Sequence, residues 1–220
     1  MFSPSSKDRL TTLDLDRFPG ETLLDRVGRA VCSAGCLPRK ELFEAWEVAR
    51  RVRRRFRGGR VIDMAAGHGL LAHLMLLLDD SSPDAVAIDV QISTSAVTVH
   101  QALVESWPRL QGRISFVQDD LHSVSLHASD VVVSSHACGA LTDLILDRAM
   151  NAGARVAVLP CCHDVETCDT GGLTGWVDAA LAIDLVRAAR LERHGYQVWT
   201  QTISAEVTPK NRLLLGSPRN

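Results

Sequence analysis

Two short segments concentrate the side chains able to do chemistry. One reads Ser134-Ser135-His136-Ala137-Cys138-Gly139-Ala140-Leu141-Thr142-Asp143, the other Leu159-Pro160-Cys161-Cys162-His163-Asp164. Three chemistries are open to them. A histidine can take a proton from a hydroxyl or amine nucleophile near neutral pH, and His136 is the better candidate of the two. Cys138 and Cys161 can be small buried thiols with the histidines as supports, since cysteine is among the most buried residue types. Four nitrogen and sulfur donors can also hold zinc in a tetrahedron. Here the adjacent Cys161 and Cys162 are expected to point apart, and no Cys-x-x-Cys is present, so no metal ligand is expected.

A third segment, Val61-Ile62-Asp63-Met64-Ala65-Ala66-Gly67-His68-Gly69-Leu70-Leu71, is a short apolar run with an acid, then a loop of small residues opening an apolar stretch. Small residues let the backbone approach a ligand closely, and a helix beginning there offers free N–H groups. Asp89 lies 20 residues beyond Gly69, where an acid can hydrogen-bond ribose hydroxyls. Asp120, with Asp119 beside it, closes the next apolar run. One acid at each of three successive run ends suits an adenosine ligand better than a dinucleotide. Asp63 would repel a pyrophosphate, which disfavours a nicotinamide oxidoreductase.

The elements that must position these residues follow from the hydrophobic pattern. Short Val- and Ile-rich runs occupy 61–64, 85–90, 114–117, 130–134 and 155–159, and helical stretches occupy 70–78, 93–106 and 140–151 between them. That alternation predicts an α/β fold with a parallel sheet buried on both faces. The ending differs: a helix over 176–193, then strands over 196–203 and 212–216, joined by a link so short that they must be antiparallel neighbours. Before residue 58 the pattern predicts a loose polar arm over 1–20 and helices over 21–34 and 39–57. This divides the chain into an N-terminal arm and helical extension, 1–57, and a main domain, 58–220. In an open sheet of this kind ligands bind beyond the carboxyl ends of the strands, so the two thiol–histidine loops become neighbours there.

Asp63-Met64-Ala65-Ala66-Gly67-His68-Gly69, with Asp89 and Asp120, resembles the cofactor site of class I S-adenosylmethionine-dependent methyltransferases. The resemblance covers roughly residues 58–217. It implies a Rossmann-like, seven-stranded, mostly parallel sheet with an antiparallel last strand. It further implies S-adenosylmethionine as cofactor, held by Asp63, Ala65, Gly67, Gly69, Asp89, Asp120 and His136. Ala65 departs from the glycine usual at that position. The pair His-x-Cys-Gly-x-x-Thr-Asp and Cys-Cys-His is similar to that of the tRNA ribose 2′-O-methyltransferases and of bacterial methyltransferase-domain proteins. It implies that His136, Cys138, Asp143, His163 and Lys210 serve catalysis, with His136 as base and Asp143 or Cys138 orienting it. An RNA acceptor is favoured. A small molecule or a protein acceptor, and a non-catalytic S-adenosylmethionine-binding module, are the alternatives. The zinc-finger segments that accompany the tRNA enzymes are absent, and Cys32 and Cys36 alone cannot make one.

Composition sets the outer bounds. The 220 residues are 46% apolar and 23% charged, which excludes disordered, collagenous and coiled-coil chains. No stretch approaches the roughly 18 apolar residues that span a bilayer, and the first 18 residues hold no apolar core of a leader, so a cytoplasmic location with reduced thiols is expected. The net charge of −2 argues against a polycation built for nucleic acid. Arg50, Arg51, Arg53, Arg54, Arg55, Arg57 and Arg60 crowd one helix end, either as a phosphate-binding stripe or as a solvated face, the latter favoured. Lys210, in the link between the last two strands, is expected on the ligand side, with Glu206 its nearest possible partner. Trp107, Trp176 and Trp199 are expected in the core or at an interface.

Overall fold

The computed structural model describes residues 2–135 and 137–219. Its sheet has seven strands: β1 (Val61–Met64), β2 (Ala85–Asp89), β3 (Ile114–Gln118), β4 (Val131–Ser134), β5 (Arg155–Val158), β6 (Tyr196–Thr202) and β7 (Arg212–Pro218). They lie in the order β3-β2-β1-β4-β5-β7-β6. β1 to β5 pair in parallel, whereas β7 runs antiparallel to both β5 and β6. This is the expected Rossmann-like sheet. The chain steps outward from β1 to β2 and β3, then returns past β1 to β4 and β5, so a crevice opens at the carboxyl ends of β1 and β4.

Among the described residues six α-helices pack around the sheet: α1 (Leu23–Ala34), α2 (Arg39–Arg55), α3 (Leu70–Leu77), α4 (Thr94–Ser106), α5 (Ala140–Ala152) and α6 (Ala179–Arg193). The period-two alternation of the strands divides the core into two layers. Val61, Val131, Val133, Ala157, Leu213 and Leu215 face one layer together with buried residues of α1 to α4. Ile62, Met64, Val132, Val156, Val158 and Leu214 face the other, with Ile145, Leu146 and Ala149 of α5 and Leu191 of α6. Each such fully buried Val, Leu or Ile contributes about 1.5–3 kcal/mol of hydrophobic stabilisation before conformational entropy is subtracted.

The N-terminal region corrects one expectation. Residues 2–20 are not the loose arm expected over 1–20. Leu10 and Phe18 are buried, the Leu10 N–H donates to the Leu37 carbonyl at 2.9 Å, and Thr12–Arg17 form a short 3-10 helix closed by a Thr11–Asp14 capping box. Two apolar residues in a polar stretch suffice to pin it. Helices α1 and α2 share one continuous core with α3 and α4, and the start of α2 reaches the segment between β1 and α3 through Glu41 and His68. Trp107 is buried and Trp199 packs edge-on to Phe56, whereas Trp176 is 89% exposed and lies outside the core.

Candidate active site

The carboxyl edge of the sheet has two halves. The first is the loop from β1 to α3. Its backbone turns through three left-handed residues, Ala65 (φ 56°), Gly67 (φ 55°) and Gly69 (φ 67°). Ala65 is the one non-glycine residue of that kind among the described residues, a conformation that costs an L-residue roughly 1–2 kcal/mol. Gly69 must be glycine for a second reason: a Cβ there would lie 2.7 Å from the Phe116 ring. At Gly67 a Cβ would meet nothing within 4 Å, so space is open above the loop.

The strand-end acids frame this loop in strand order, Asp120 beyond β3, Asp89 on β2 and Asp63 on β1. Asp89 is half-buried and held by backbone donors, Gly67 N–H to Oδ2 at 2.8 Å and Gln91 N–H to Oδ1 at 3.3 Å. A carboxylate has about four acceptor positions, so capacity remains for a ligand's hydroxyls. Asp120 is exposed, its Oδ1 accepting the His122 N–H at 2.8 Å. Asp63 is 1% exposed and accepts the Ala72 N–H at 3.1 Å, capping the first turn of α3 from behind. Burial pushes its carboxyl well above the ordinary range; the Ala72 N–H opposes this and Asp89 adds to it. His73 locks the same turn. Its Nδ1 donates to the Gly69 carbonyl at 2.7 Å, and its Nε2 accepts from His100 Nδ1 at 3.0 Å. On the α2 side, His68 Nδ1 pairs with Glu41 at 2.7 Å, and only about 10 Å³ of space separates α2 from the loop. The accessible side is therefore the one above Gly67.

The second half comprises the loops after β4 and β5. They are joined by a parallel bridge between Cys138 and Cys162, and Gly139 N–H donates to the Cys162 carbonyl at 3.2 Å. The Thr142 hydroxyl donates to the Ala137 carbonyl at 2.8 Å and closes the first loop on α5. The expectation that Cys161 and Cys162 point apart is corrected. Their sulfurs are 3.8 Å from each other, Cys138 Sγ is 3.0 Å from Cys161 Sγ, and all three lie within 4.8 Å of one another. Alternation holds only along a regular strand; here β5 has ended at Val158 and the chain is turning. Burial raises the Cys138 thiol, with Cys162 adding to the rise and Cys161 opposing it. Burial, and then the neighbouring sulfurs, raise Cys161 as well.

Beneath the thiols lies a charged knot that the sequence did not disclose. Arg187, 1% exposed, reaches Asp143 with Nε at 3.2 Å and Nη2 at 2.7 Å, and Nη2 also donates to the Gly139 carbonyl at 2.9 Å. Arg190 adds a second cation to Asp143 at 3.1 Å. Asp184 receives His163 Nε2 at 2.8 Å, Arg212 Nε at 2.6 Å and Arg187 Nη1 at 3.4 Å. Burial works to raise the Asp184 carboxyl, yet His163 and Arg212 hold it below the ordinary range. Asp143 and His163 thus have structural partners, and His163 Nδ1 is buried with no hydrogen-bond partner among the described residues. Asp184 and Arg187 stand one turn apart on α6, but nothing in that spacing tells which loop they face. A cleft of about 460 Å³ opens beside the knot, lined by Pro160, Leu181, Asp184, Leu185, Thr202 and Arg212 among others.

Lys210 stands apart from both halves. It is exposed on the β6–β7 link, its backbone N–H on Thr208 Oγ1 at 3.3 Å, and among the described residues no ion pair joins it to Glu206. That link does lie at the carboxyl edge, because β6 points the same way as β5. His136 lies outside the described residues. The arginine cluster is not on this edge. Six of its seven members are engaged internally: Arg50 and Arg51 with Glu47, Arg53 and Arg57 with Asp79, Arg60 with Asp130, and Arg55 over the Trp199 ring.

An open sheet in this strand order, with a small-residue loop and a strand-end acid at the switch point, defines the class I methyltransferase fold. Residues 41–167, more than half of the 220, match the family described as methyltransferase domain. The chain belongs to that family. Comparison with curated proteins gives no match. Among solved structures, an O-methyltransferase family protein from Burkholderia thailandensis is 18% identical with a TM-score of 0.55, over 97% of this chain and 64% of that one. The S-adenosylmethionine-dependent methyltransferase SibL is 20% identical with a TM-score of 0.54, over 93% and 65%. A precorrin-6y C5,15-methyltransferase from Geobacter metallireducens is 13% identical with a TM-score of 0.50, over 79% and 87%. These similarities concern the fold. The chain spans slightly less than two thirds of the first two proteins.

Proposed function

We propose that this protein transfers the methyl group of S-adenosylmethionine to a nucleophilic acceptor at the carboxyl edge of its sheet. The observation that carries the reading is the open space above Gly67 beside Asp89, whose carboxylate is oriented by two backbone N–H groups and retains acceptor capacity. Such a cradle suits a ribose lying on a glycine turn. Asp89 would accept the ribose hydroxyls, the loop at Gly67 would admit the ligand close to the backbone, and Asp120 would stand toward the base. Asp63 acts through the loop: it fixes the first turn of α3 by accepting the Ala72 N–H. Gly69 and Ala65 keep the turn in shape. When bound, S-adenosylmethionine supplies an electrophilic methyl group on a sulfonium.

The remaining roles belong to the acceptor. His136 takes the proton from the attacking hydroxyl or amine. Cys138, Asp143 and His163 hold the two loops in place, the last two through the Arg187–Asp184 knot. Lys210, exposed at the same edge, offers a cation to an anionic acceptor. An RNA acceptor rests on the resemblance of the two motifs alone, since the arginine cluster lies at the opposite edge and is largely paired.

Incubation with methyl-labelled S-adenosylmethionine and separate pools of RNA, protein and small metabolites tests the reading. Label is expected in the RNA pool, and His136→Gln is expected to lower the rate by about 10²-fold or more, the usual worth of a general base. Label in another pool would replace the acceptor class. Cofactor binding without label in any pool would leave a non-catalytic binding module.

A further inference from the structure

We propose that Cys138, Cys161 and Cys162 form a three-thiolate site for a soft d10 cation of the zinc type. The proposal does not depend on methyl transfer. It rests first on geometry. Zn–S bonds of about 2.3 Å in a tetrahedron set sulfurs about 3.8 Å apart. The Cys161–Cys162 separation is 3.8 Å, and the third sulfur lies within 4.8 Å of both, 3.0 Å from Cys161. On this proposal that one short edge widens when the cation binds.

The backbone is already committed to this arrangement. Cys138 and Cys162 are bridge partners, and the Gly139–Cys162 hydrogen bond fixes their loops in register. Cys138 directly precedes Gly139, the cap of α5, so the start of that helix fixes its backbone. Thr142 and Arg187 brace the same loop from within, through the Ala137 and Gly139 carbonyls. Access is open, because Cys138 and Cys162 are exposed and Cys161 half-buried. The other three cysteines are elsewhere: Cys32 is buried, Cys36 donates to the Ser95 carbonyl, and Cys168 lies against Arg187.

Binding releases one proton from each thiol to solvent and forms three metal–sulfur bonds, with no change in oxidation state. Three protein ligands leave the fourth position of a tetrahedron to a donor from outside the trio, the arrangement of a site that exchanges ligands rather than one that is closed.

The test uses the reduced full-length chain, stripped with chelator and titrated with Co²⁺ and then Zn²⁺. One Co²⁺ per chain is expected, with thiolate-to-metal charge-transfer absorption that one equivalent of Zn²⁺ removes. Zinc is expected to protect Cys138, Cys161 and Cys162, but not Cys36, from maleimide alkylation. Losing a hydrogen-bond partner of a metal ligand alone costs roughly 10–100-fold in metal affinity. Cys138→Ser and Cys161→Ser should each cost at least that, and Cys36→Ser nothing. Two results overturn the proposal in the wild-type chain itself, whatever the variants do. One is absence of both the absorption and the protection. The other is a Cys138–Cys161 disulfide forming readily in a chain that takes up no metal, which would make the pair a redox couple.

Discussion

Asp63 and Asp89 are the same residue type at adjacent strand ends, and one hydrogen-bond pattern separates their roles. Asp63 is shut behind the loop on the Ala72 N–H; Asp89 is half-open, with its oxygens oriented by Gly67 and Gln91. His73 shows what burial does to a titratable group nearby. Fully enclosed, its ring is held neutral, with a pKa lowered from 6.5 to about 4 chiefly by burial, against the help of the Gly69 carbonyl. Its depressed folded pKa means that the unfolded chain binds the extra proton between those values. Stability therefore is fully present above pH 6.5 and falls as the pH drops toward 4, by about 3 kcal/mol from this residue. Denaturant unfolding of wild type and His73→Gln at pH 7.5 and pH 4.5 checks this. The stability advantage of wild type should shrink by about that amount at the lower pH. An advantage independent of pH would mean that His73 is not held neutral.

At the scale of elements, α2 carries the clearest physical lesson. The sequence presents an arginine-rich helix end, which reads as a surface. Arg53 is instead 2% exposed, donating to the Met75 carbonyl at 3.0 Å and to Ser82 Oγ at 2.7 Å, and pairing with Asp79 at 3.1 Å. Burial lowers its pKa to about 10, with Asp79 opposing the shift. Removing one partner of a buried pair leaves the other charge uncompensated, so Arg53→Ala should destabilise the protein by about 3–5 kcal/mol. Arg54→Ala, at an exposed position of the same helix, should change stability by less than about 0.5 kcal/mol. Equal effects in thermal or urea unfolding would mean that α2 does not seat on α3 in this way. The strands and helices were legible because Val- and Ile-rich runs and 3.6-residue spacing repeat over many residues. What was not legible depends on single side chains meeting across the chain. Leu10 pins the N-terminal arm against Leu37, Arg187 on α6 reaches Asp143 on α5, and the thiols of Cys161 and Cys162 converge in an irregular turn.

For the molecule as a whole, strand order positions the candidate site. The return of the chain past β1 places a glycine turn with strand-end acids on one half of a single edge and a thiol–histidine cluster on the other. The N-terminal helices complete one face of the core and leave that edge accessible above Gly67. Among the described residues no helix is long and apolar enough to cross a membrane. The two halves make separable predictions: loss of metal binding at the thiols need not touch cofactor binding at Asp89. The central claim is the cofactor. Calorimetric titration of the purified chain with S-adenosylmethionine and with NADH, repeated on Asp89→Ala, tests it most directly. The account predicts binding of S-adenosylmethionine alone. Hydrogen bonds to a charged group are worth about 1.5–3 kcal/mol, so the variant should bind at least about tenfold more weakly. Binding that favours NADH, no binding of either, or S-adenosylmethionine affinity unchanged by Asp89→Ala would contradict it.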